Sequence, residues 1–596
     1  MFVAARAIKE DLDKTAHSIL SPPTETEAME HIIDESTESN IEDLGQNSKR
    51  EPRSIDTFLD EAYEDKTHGT KWAYWIAMLS LVLSNSSDSA EVLCVGFLLS
   101  DPILQKEMLQ AKWHGSLLAC SVFVGILTGT LLVGALGDVM GRRPMMRLGL
   151  AMIGLLGILS SFSCNIYQLS FLRGLTGLAI GSTTPPMLAM ASELAPPSRR
   201  GLFVTMVSSG WVVGSVYVTT MAWIIFSPNQ HNHSGGSWRW FLIVATFPSI
   251  VALLMMSLLL VESPRFQALH QQQEEAAVSL ERLAKQMKYS GPPMTIDEIL
   301  YHYPKTTTTT ASSIVSGDDS CSAPRQASSL SQIYKTVVIA FVNFGRSSLK
   351  LYHKRLVRTT IPLQIVWIGL GFASNGIAVW ITRLFQAVHL SNIYFSALLF
   401  AVSQIPGCLL TVVLIDWTTR QRVLSIGFLG SAVSLVVFAY FANTSTSASS
   451  SAGSTSLGVV ASAFMYHMFI QIAWNTISVV STERFPTVVR ATAYAVLSSS
   501  GKISGVVASF VNGFLVSWPV VLLLLASVSM VIAGVTPFAL EGIHSRALQD
   551  GLTNESQKGI EIGQETAALL GDNEGDTDER RGFSINQREE VSYQSI

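Results

Sequence analysis

Gly134-Ala135-Leu136-Gly137-Asp138-Val139-Met140-Gly141-Arg142-Arg143 sets glycines, one acid and an arginine pair between two long apolar runs. The turn is too short to be a domain, so it reads as a tight, charged bend at a membrane face. About 280 residues later a worn copy follows, Leu414-Ile415-Asp416-Trp417-Thr418-Thr419-Arg420, with acid and arginine at the same separation. A second pair of positions repeats as well: Glu193 stands seven residues before Arg200-Gly201, and Glu483 seven before Arg490-Ala491. Two matched pairs point to a chain built by duplication.

Composition fixes the solvent. The chain has 596 residues, 48% hydrophobic and only 14% charged, with a mean hydropathy of +0.35, which is too apolar for a water-soluble protein of this size. The net charge of −5 hides an asymmetry. Residues 1–71 hold 17 acids against 8 bases and residues 542–596 hold 11 against 5, so the stretch between them is basic. Four of the five cysteines (Cys94, Cys120, Cys164 and Cys408) fall inside apolar runs. Their spacing forms neither a disulfide framework nor a metal site.

From Trp72 onward, apolar segments of about 20 residues recur, each long enough to span the hydrocarbon of a bilayer. Six fall at 72–100, 113–136, 145–163, 166–192, 202–226 and 239–260. Six more fall at 359–384, 394–415, 422–442, 457–481, 491–515 and 517–540. Arg142, Arg143, Arg147, Arg199, Arg200, Arg265, Arg358, Arg420, Arg422 and Arg490 all lie on one side of that arrangement, which makes it the cytoplasmic side and puts both termini there. The expected division is an acidic tail over 1–71 with an amphipathic helix near 54–65, a six-helix bundle over 72–266, a linker over 267–358 that is helical and then low in complexity, a second bundle over 359–541, and an acidic tail over 542–596. No cleavable hydrophobic leader opens the sequence. Asn-x-Ser/Thr triplets at Asn232 and Asn443 fall on the far side as candidate glycosylation sites.

The motif at 134–143, Arg173 within Phe171-Leu172-Arg173-Gly174-Leu175-Thr176-Gly177, Glu262-Ser263-Pro264-Arg265 after the sixth span, and Pro537-Phe538-Ala539-Leu540-Glu541-Gly542 after the twelfth together resemble the major facilitator superfamily. Within it, Asp88-Ser89-Ala90-Glu91-Val92, Ser237-Trp238-Arg239 and Arg490-Ala491-Thr492-Ala493-Tyr494 look like the synaptic vesicle glycoprotein 2 and related organic-ion transporter group. The resemblance implies an all-α membrane protein of twelve transmembrane helices in two pseudo-symmetric six-helix bundles. It implies alternating access, and proton transfer at the arginine that Arg173 matches. The synaptic vesicle glycoproteins carry a large lumenal domain between the seventh and eighth spans. Here only about ten residues are available, which favours the shorter, transporter-like relatives.

Ionisable groups inside spans survive only with a partner or a wet cavity. Asp88 and Glu91 in the first span, Arg173 in the fourth and Lys502 in the eleventh are therefore the leading candidates for a substrate and proton site. The two acids sit three residues apart on one helix face. They could titrate as a coupled pair, or either could form a structural ion pair with Lys502 or Arg173. Trp211, Asn375, Trp380, Gln471, Trp474 and Asn475 are candidates to line the same site, and each could equally be helix-packing glue. Gly134, Asp138, Gly141, Arg142, Arg143, Glu193, Arg200, Asp416, Arg420, Glu483 and Arg490 are candidates for a conformational latch on the cytoplasmic side.

No phosphate loop, nucleophile constellation or metal spacing appears, so the chain reads as no enzyme, with no cofactor, metal or nucleic acid. The reading is a secondary active transporter of a small organic solute, an organic ion or sugar-like molecule, working by alternating access with a coupled proton or cation; the alternative is a non-transporting membrane protein of the synaptic-vesicle-2-like type with a binding or trafficking role. Expected partners are the solute, a coupling proton or cation and the bilayer, on a monomer. Glu565-Thr566-Ala567-Ala568-Leu569-Leu570 and Tyr593-Gln594-Ser595-Ile596 resemble signals read by sorting adaptors. The chain is then an integral protein of the plasma membrane or of an endosomal, vesicular or vacuolar one.

Overall fold

The computed structural model describes residues 52–65, 71–111, 113–226, 237–304, 345–346, 348–353, 356–447, 452–485 and 487–539. Within them, the backbone alone is described at 132–139, 237, 416, 446–447, 452–454, 482 and 487–491. Every regular element among the described residues is helical.

Twelve spans follow in chain order. The first four are Trp72–Ser100, His114–Met140, Arg142–Ser160 and Ile166–Leu194. The fifth and sixth are each broken once, into Arg200–Ser208 with Gly210–Phe226 and Ser237–Ala245 with Phe247–Leu259. The seventh runs as Val357–Leu370, a π turn Gly371–Asn375, and Gly376–Ala387. The eighth is Ile393–Val402 with Gln404–Trp417, and the last four are Arg420–Ser447, Ala452–Glu483, Thr487–Leu515 and Pro519–Val535. Nine of these are long and apolar enough to cross a membrane on composition alone. The three that fall short are the first, fourth and eleventh, which carry Asp88, Glu91, Arg173 and Lys502. The all-α, twelve-span expectation is met.

Close helix packing explains where the polar groups go. In the second span, Cβ atoms added at Gly125 and Gly129 would overlap the carbonyls of Gly174 and Leu178 in the fourth. Reciprocally, Gly177 and Gly181 abut the carbonyls of Val122 and Ile126. The break in the fifth span at Ser209 frees two carbonyls inside the bundle. Asn85 of the first span donates to both, Val207 O and Ser208 O, each at 2.9 Å. The sharp bend between the second and third spans needs Gly141, whose φ of 98° suits no side-chain-bearing residue.

The chain divides into two compact units. One holds the helix Ile55–Glu64, the first residues of the first span, 190–203, and the stretch from Val261 through the helices Pro264–Leu269, Gln273–Met287 and Ile296–His302. Its amino-terminal helix buries Ile55, Phe58, Leu59 and Ala62, each large one contributing roughly 1.5–3 kcal/mol. Asp56 of this helix binds Arg265, and also Arg200 at 3.3 Å. Asp60 accepts from the Ser198 hydroxyl at 2.7 Å. Arg53 is paired with Glu298 at 2.9 Å.

The second unit holds the rest of the spans, from Ala77 onward. We call the face carrying Arg142, Arg143, Arg420 and Arg422 the basic face. The first six and last six spans are joined toward the opposite face. Thr382 donates to Gly96 O at 2.7 Å, Gln386 to Ser100 O at 2.6 Å and Gln404 to Ser215 Oγ at 2.8 Å. Phe226 stacks on Tyr394 with ring centroids 5.3 Å apart.

Candidate functional site

Of the four charges within spans, Asp88 and Lys502 fall at matching depth, and the four stand in different surroundings. Asp88 lies sixteen residues into the 29-residue first span, and Lys502 fifteen into the 29-residue eleventh. At about 1.5 Å per residue both are near the bilayer midplane.

Glu91 and Arg173 form a closed structural pair. Arg173 Nη1 lies 2.6 Å from Glu91 Oε2, and both side chains are essentially inaccessible. The guanidinium also donates to Ser160 Oγ at 3.2 Å and to Cys94 Sγ at 3.3 Å. This network ties the first, third and fourth spans of one half together. Of the alternatives open to Glu91, the geometry is the ion pair with Arg173, not a pair with its neighbour Asp88. The second oxygen, Glu91 Oε1, takes no hydrogen bond among the described residues.

Asp88 is held differently. It is 1% exposed and accepts from the Thr183 hydroxyl at 3.1 Å and the Thr184 hydroxyl at 3.4 Å. No cation lies within ion-pair distance of it among the described residues. The cation that the other half brings to this depth is Lys502. Its ammonium instead donates to Thr130 Oγ1 of the second span at 2.6 Å. Thr130 packs on Gly181, where an added Cβ would stand 2.8 Å from its backbone nitrogen. Lys502, Thr130, the Gly181 turn, Thr183 and Asp88 are thus one contiguous chain of contacts across the two halves. A carboxylate secured by hydroxyls alone can exchange a proton or accept a cation without first breaking a salt bridge.

The candidate lining residues separate into groups. Trp474 Nε1 donates to Ser374 Oγ at 2.7 Å, a serine that the π turn of the seventh span presents. Gln471 donates to Asn475 at 3.1 Å, and Asn475 to Thr411 at 3.4 Å. Asn375 faces Gly505 of the eleventh span, whose added Cβ would meet its amide nitrogen at 3.1 Å. Trp380 is buried with its indole N–H unpartnered among the described residues. Trp211 is half-buried in the fifth span and joins none of these groups.

On the basic face, Arg420 and Glu483 form an ion pair between the start of the ninth span and the end of the tenth. Arg143 donates to Ser257 O at 2.7 Å, linking the third and sixth spans. Arg200 is bound by Asp56, a partner the sequence reading left out of the latch. The side chains of Asp138, Asp416 and Arg490, and the surroundings of Gly134, lie outside the described residues, as do Asn232 and the carboxy-terminal sorting motifs. Asn443 is exposed, and it lies within the ninth helix rather than in the loop beyond it. The sequence reading also missed Thr130, Thr183, Thr184 and Ser160. A signal for two of them existed in Thr183-Thr184-Pro185-Pro186, where hydroxyls precede a proline pair in mid-span.

Comparison with known proteins agrees with this architecture. Residues 81–539 match the family described as sugar (and other) transporter. The organic cation/carnitine transporter 7 of Arabidopsis thaliana is 26% identical over 437 residues, covering 71% of this chain and 82% of that protein. Synaptic vesicle glycoprotein 2A of Rattus norvegicus is 26% identical over 334 residues, and there the match spans only 43% of the relative's length. Among solved structures, the xylose transporter XylE from E. coli in a partially occluded inward open conformation superposes with a TM-score of 0.56 at 15% identity, over 79% of this chain and 97% of that one.

Proposed function

The chain belongs to the sugar (and other) transporter family of the major facilitator superfamily, and from that premise we propose that it is a secondary active transporter that moves a small organic solute by alternating access, coupled to a proton or cation at Asp88. The observation that carries the reading is the placement of Asp88. It is a buried carboxylate at mid-depth, held by two hydroxyls of its own half and linked to Lys502 of the other through Thr130 and the Gly181 turn. Taking the basic face and both termini as cytoplasmic, the contacts that join the halves on the opposite side support an inward-facing assignment of the described state.

The cycle follows from those contacts. Lys502 bridges the halves through Thr130. When Asp88 is charged it attracts Lys502 and favours an arrangement with the halves close at mid-depth. A proton or a cationic solute on Asp88 cancels that attraction, so the two conformations differ in affinity for the coupling ion. Glu91 and Arg173 stay neutralised throughout and hold the first and fourth spans as one body. Arg420 with Glu483 is already paired in the described state and braces two spans of one half, so closure of the cytoplasmic side in the opposite state falls to the other latch candidates, Asp138 with Arg142.

The solute classes printed in the relatives' names, organic cations, carnitine and xylose, are the first to test. Thermal unfolding of the purified chain against such a panel is the direct experiment. A true solute at about a hundred times its Kd stabilises by about 2.7 kcal/mol. Asp88→Asn should abolish the shift for a cation and keep it for a neutral sugar. A panel of cations, zwitterions and sugars that leaves the midpoint unmoved contradicts the transporter reading and favours a binding or trafficking role.

A further inference from the structure

His467 stands outside the network around Asp88, in the middle of the tenth span. Its Nδ1 lies 2.5 Å from the carbonyl oxygen of Phe400 in the eighth span. A carbonyl can only accept, so Nδ1 carries the hydrogen, and Nε2 of the neutral ring is left with its lone pair. The ring lies flat on Phe400, with centroids 3.7 Å apart and planes within 5°. Tautomer and orientation are both fixed.

Beside the ring is a cavity of about 20 Å³ that His467 lines, large enough for one water. Its walls come from both halves of the chain. The first and fifth spans supply Gly96, Phe97, Ser215 and Thr219, and the seventh and eighth supply Thr382 and Ala401, among others. Hydroxyls of Ser215, Thr219 and Thr382 are polar, the rest of the lining is apolar, and no lining residue except His467 ionises. The charged groups nearest in sequence on those helices are engaged, Glu91 by Arg173 and Arg383 by Gln386, and the thiol and phenols beside the lining donate to carbonyls, Cys94 to Glu91 O, Tyr217 to Val244 O and Tyr466 to Ala373 O. Among the described residues lining the closed site, none carries a charge that would neutralise an imidazolium.

We infer that His467 and its cavity form a proton-sensing element of the gate on the face opposite the basic one. With the gate shut the imidazole is neutral, Nδ1–H on Phe400 and Nε2 toward the cavity. When the first and fifth spans move off the seventh and eighth, water reaches Nε2 and a proton can bind there. Reclosure would then bury an unpaired charge, so acid on that side holds the gate open. The inference rests on the alternating-access reading but not on any solute.

The test uses the full chain with fluorophores on non-canonical amino acids at Glu107 and His389, two exposed positions following the first and seventh spans. Their distance reports the gate in single molecules. With an exposed histidine pKa of about 6.5, lowering the pH from 7.5 to 5.0 should raise the open-to-closed ratio roughly 30-fold. His467→Gln can still donate to Phe400 O but cannot be protonated, and its ratio should not change with pH. His467→Asn serves as the second neutral variant should the glutamine fail to fold. A flat wild-type curve, or an equal response in the neutral variants, overturns the inference and leaves alternating access standing. A single distance at every pH overturns both.

Discussion

Arg173 and Lys502 are both cations within spans, Arg173 fully buried and Lys502 partly so, yet removing the acids near them should have opposite results. Glu91→Gln would leave the Arg173 guanidinium enclosed without a charge to balance it, and breaking a buried pair in this way costs roughly 3–5 kcal/mol. Expression in membranes should collapse, or the melting temperature fall by several degrees, as measured by size-exclusion fluorescence of a tagged chain. Asp88→Asn is milder. The amide oxygen still accepts from Thr183 and Thr184, so the fold should persist while coupling is lost. Equal loss of folding in the two variants would show that Asp88 is as structural as Glu91. The sequence could identify these four charges because hydrocarbon makes them conspicuous. It could not say which acid faces which cation, since that depends on helix rotation, and Asp88 and Glu91 differ by only one turn.

At the scale of elements, the amino-terminal helix Ile55–Glu64 was legible from period alone. Ile55, Phe58, Leu59 and Ala62 are spaced for one face, and they are the residues it buries. Its charged contacts were not legible, because Arg200, Arg265 and Glu298 lie between 140 and 245 residues away from their partners in the sequence. Asp56→Ala should free Arg200 and Arg265 and raise hydrogen exchange across residues 55–64; unchanged exchange would mean that the apolar face alone holds the helix. Acid should act on the same docking through Glu298. Burial pushes its carboxyl up, but the hydrogen bonds from Arg53 and Thr295 outweigh that and hold it below its ordinary 4.5. A depressed folded value contributes stability above the unfolded pKa and loses it as pH falls through the folded one. Protection of the helix should therefore be level from neutral pH to about 5, decline below about 4.5, and lose that decline in Glu298→Gln. Breaks within spans were the least legible elements. The interruptions at Ser209 and Ser403 and the π turn at Gly371–Asn375 leave no trace in hydropathy, because tertiary partners such as Asn85 satisfy the freed backbone.

For the whole molecule, duplication, span count and charge bias were written into the chain because the bilayer restricts what may cross it. The conformational state was not. It rests on side-to-side contacts such as Thr382 with Gly96 and Gln404 with Ser215, which two different states of one sequence would make and break. If the described state is sealed on the face opposite the basic one, a bulky residue at Gly96 should disfavour it. An added Cβ there already stands 2.5 Å from Val379 O. Gly96→Leu should shift the Glu107–His389 distance toward the open population at every pH, and a distribution identical to the parent's would place the seal elsewhere. The account's central claim is that Asp88 couples solute movement to an ion gradient. The most direct test is solute accumulation in proteoliposomes under an imposed pH or cation gradient, comparing the parent with Asp88→Asn reconstituted at equal density. Concentrative uptake by the parent, and only equilibration or none by Asp88→Asn, is the predicted result. Gradient-driven accumulation that survives the substitution would contradict the claim.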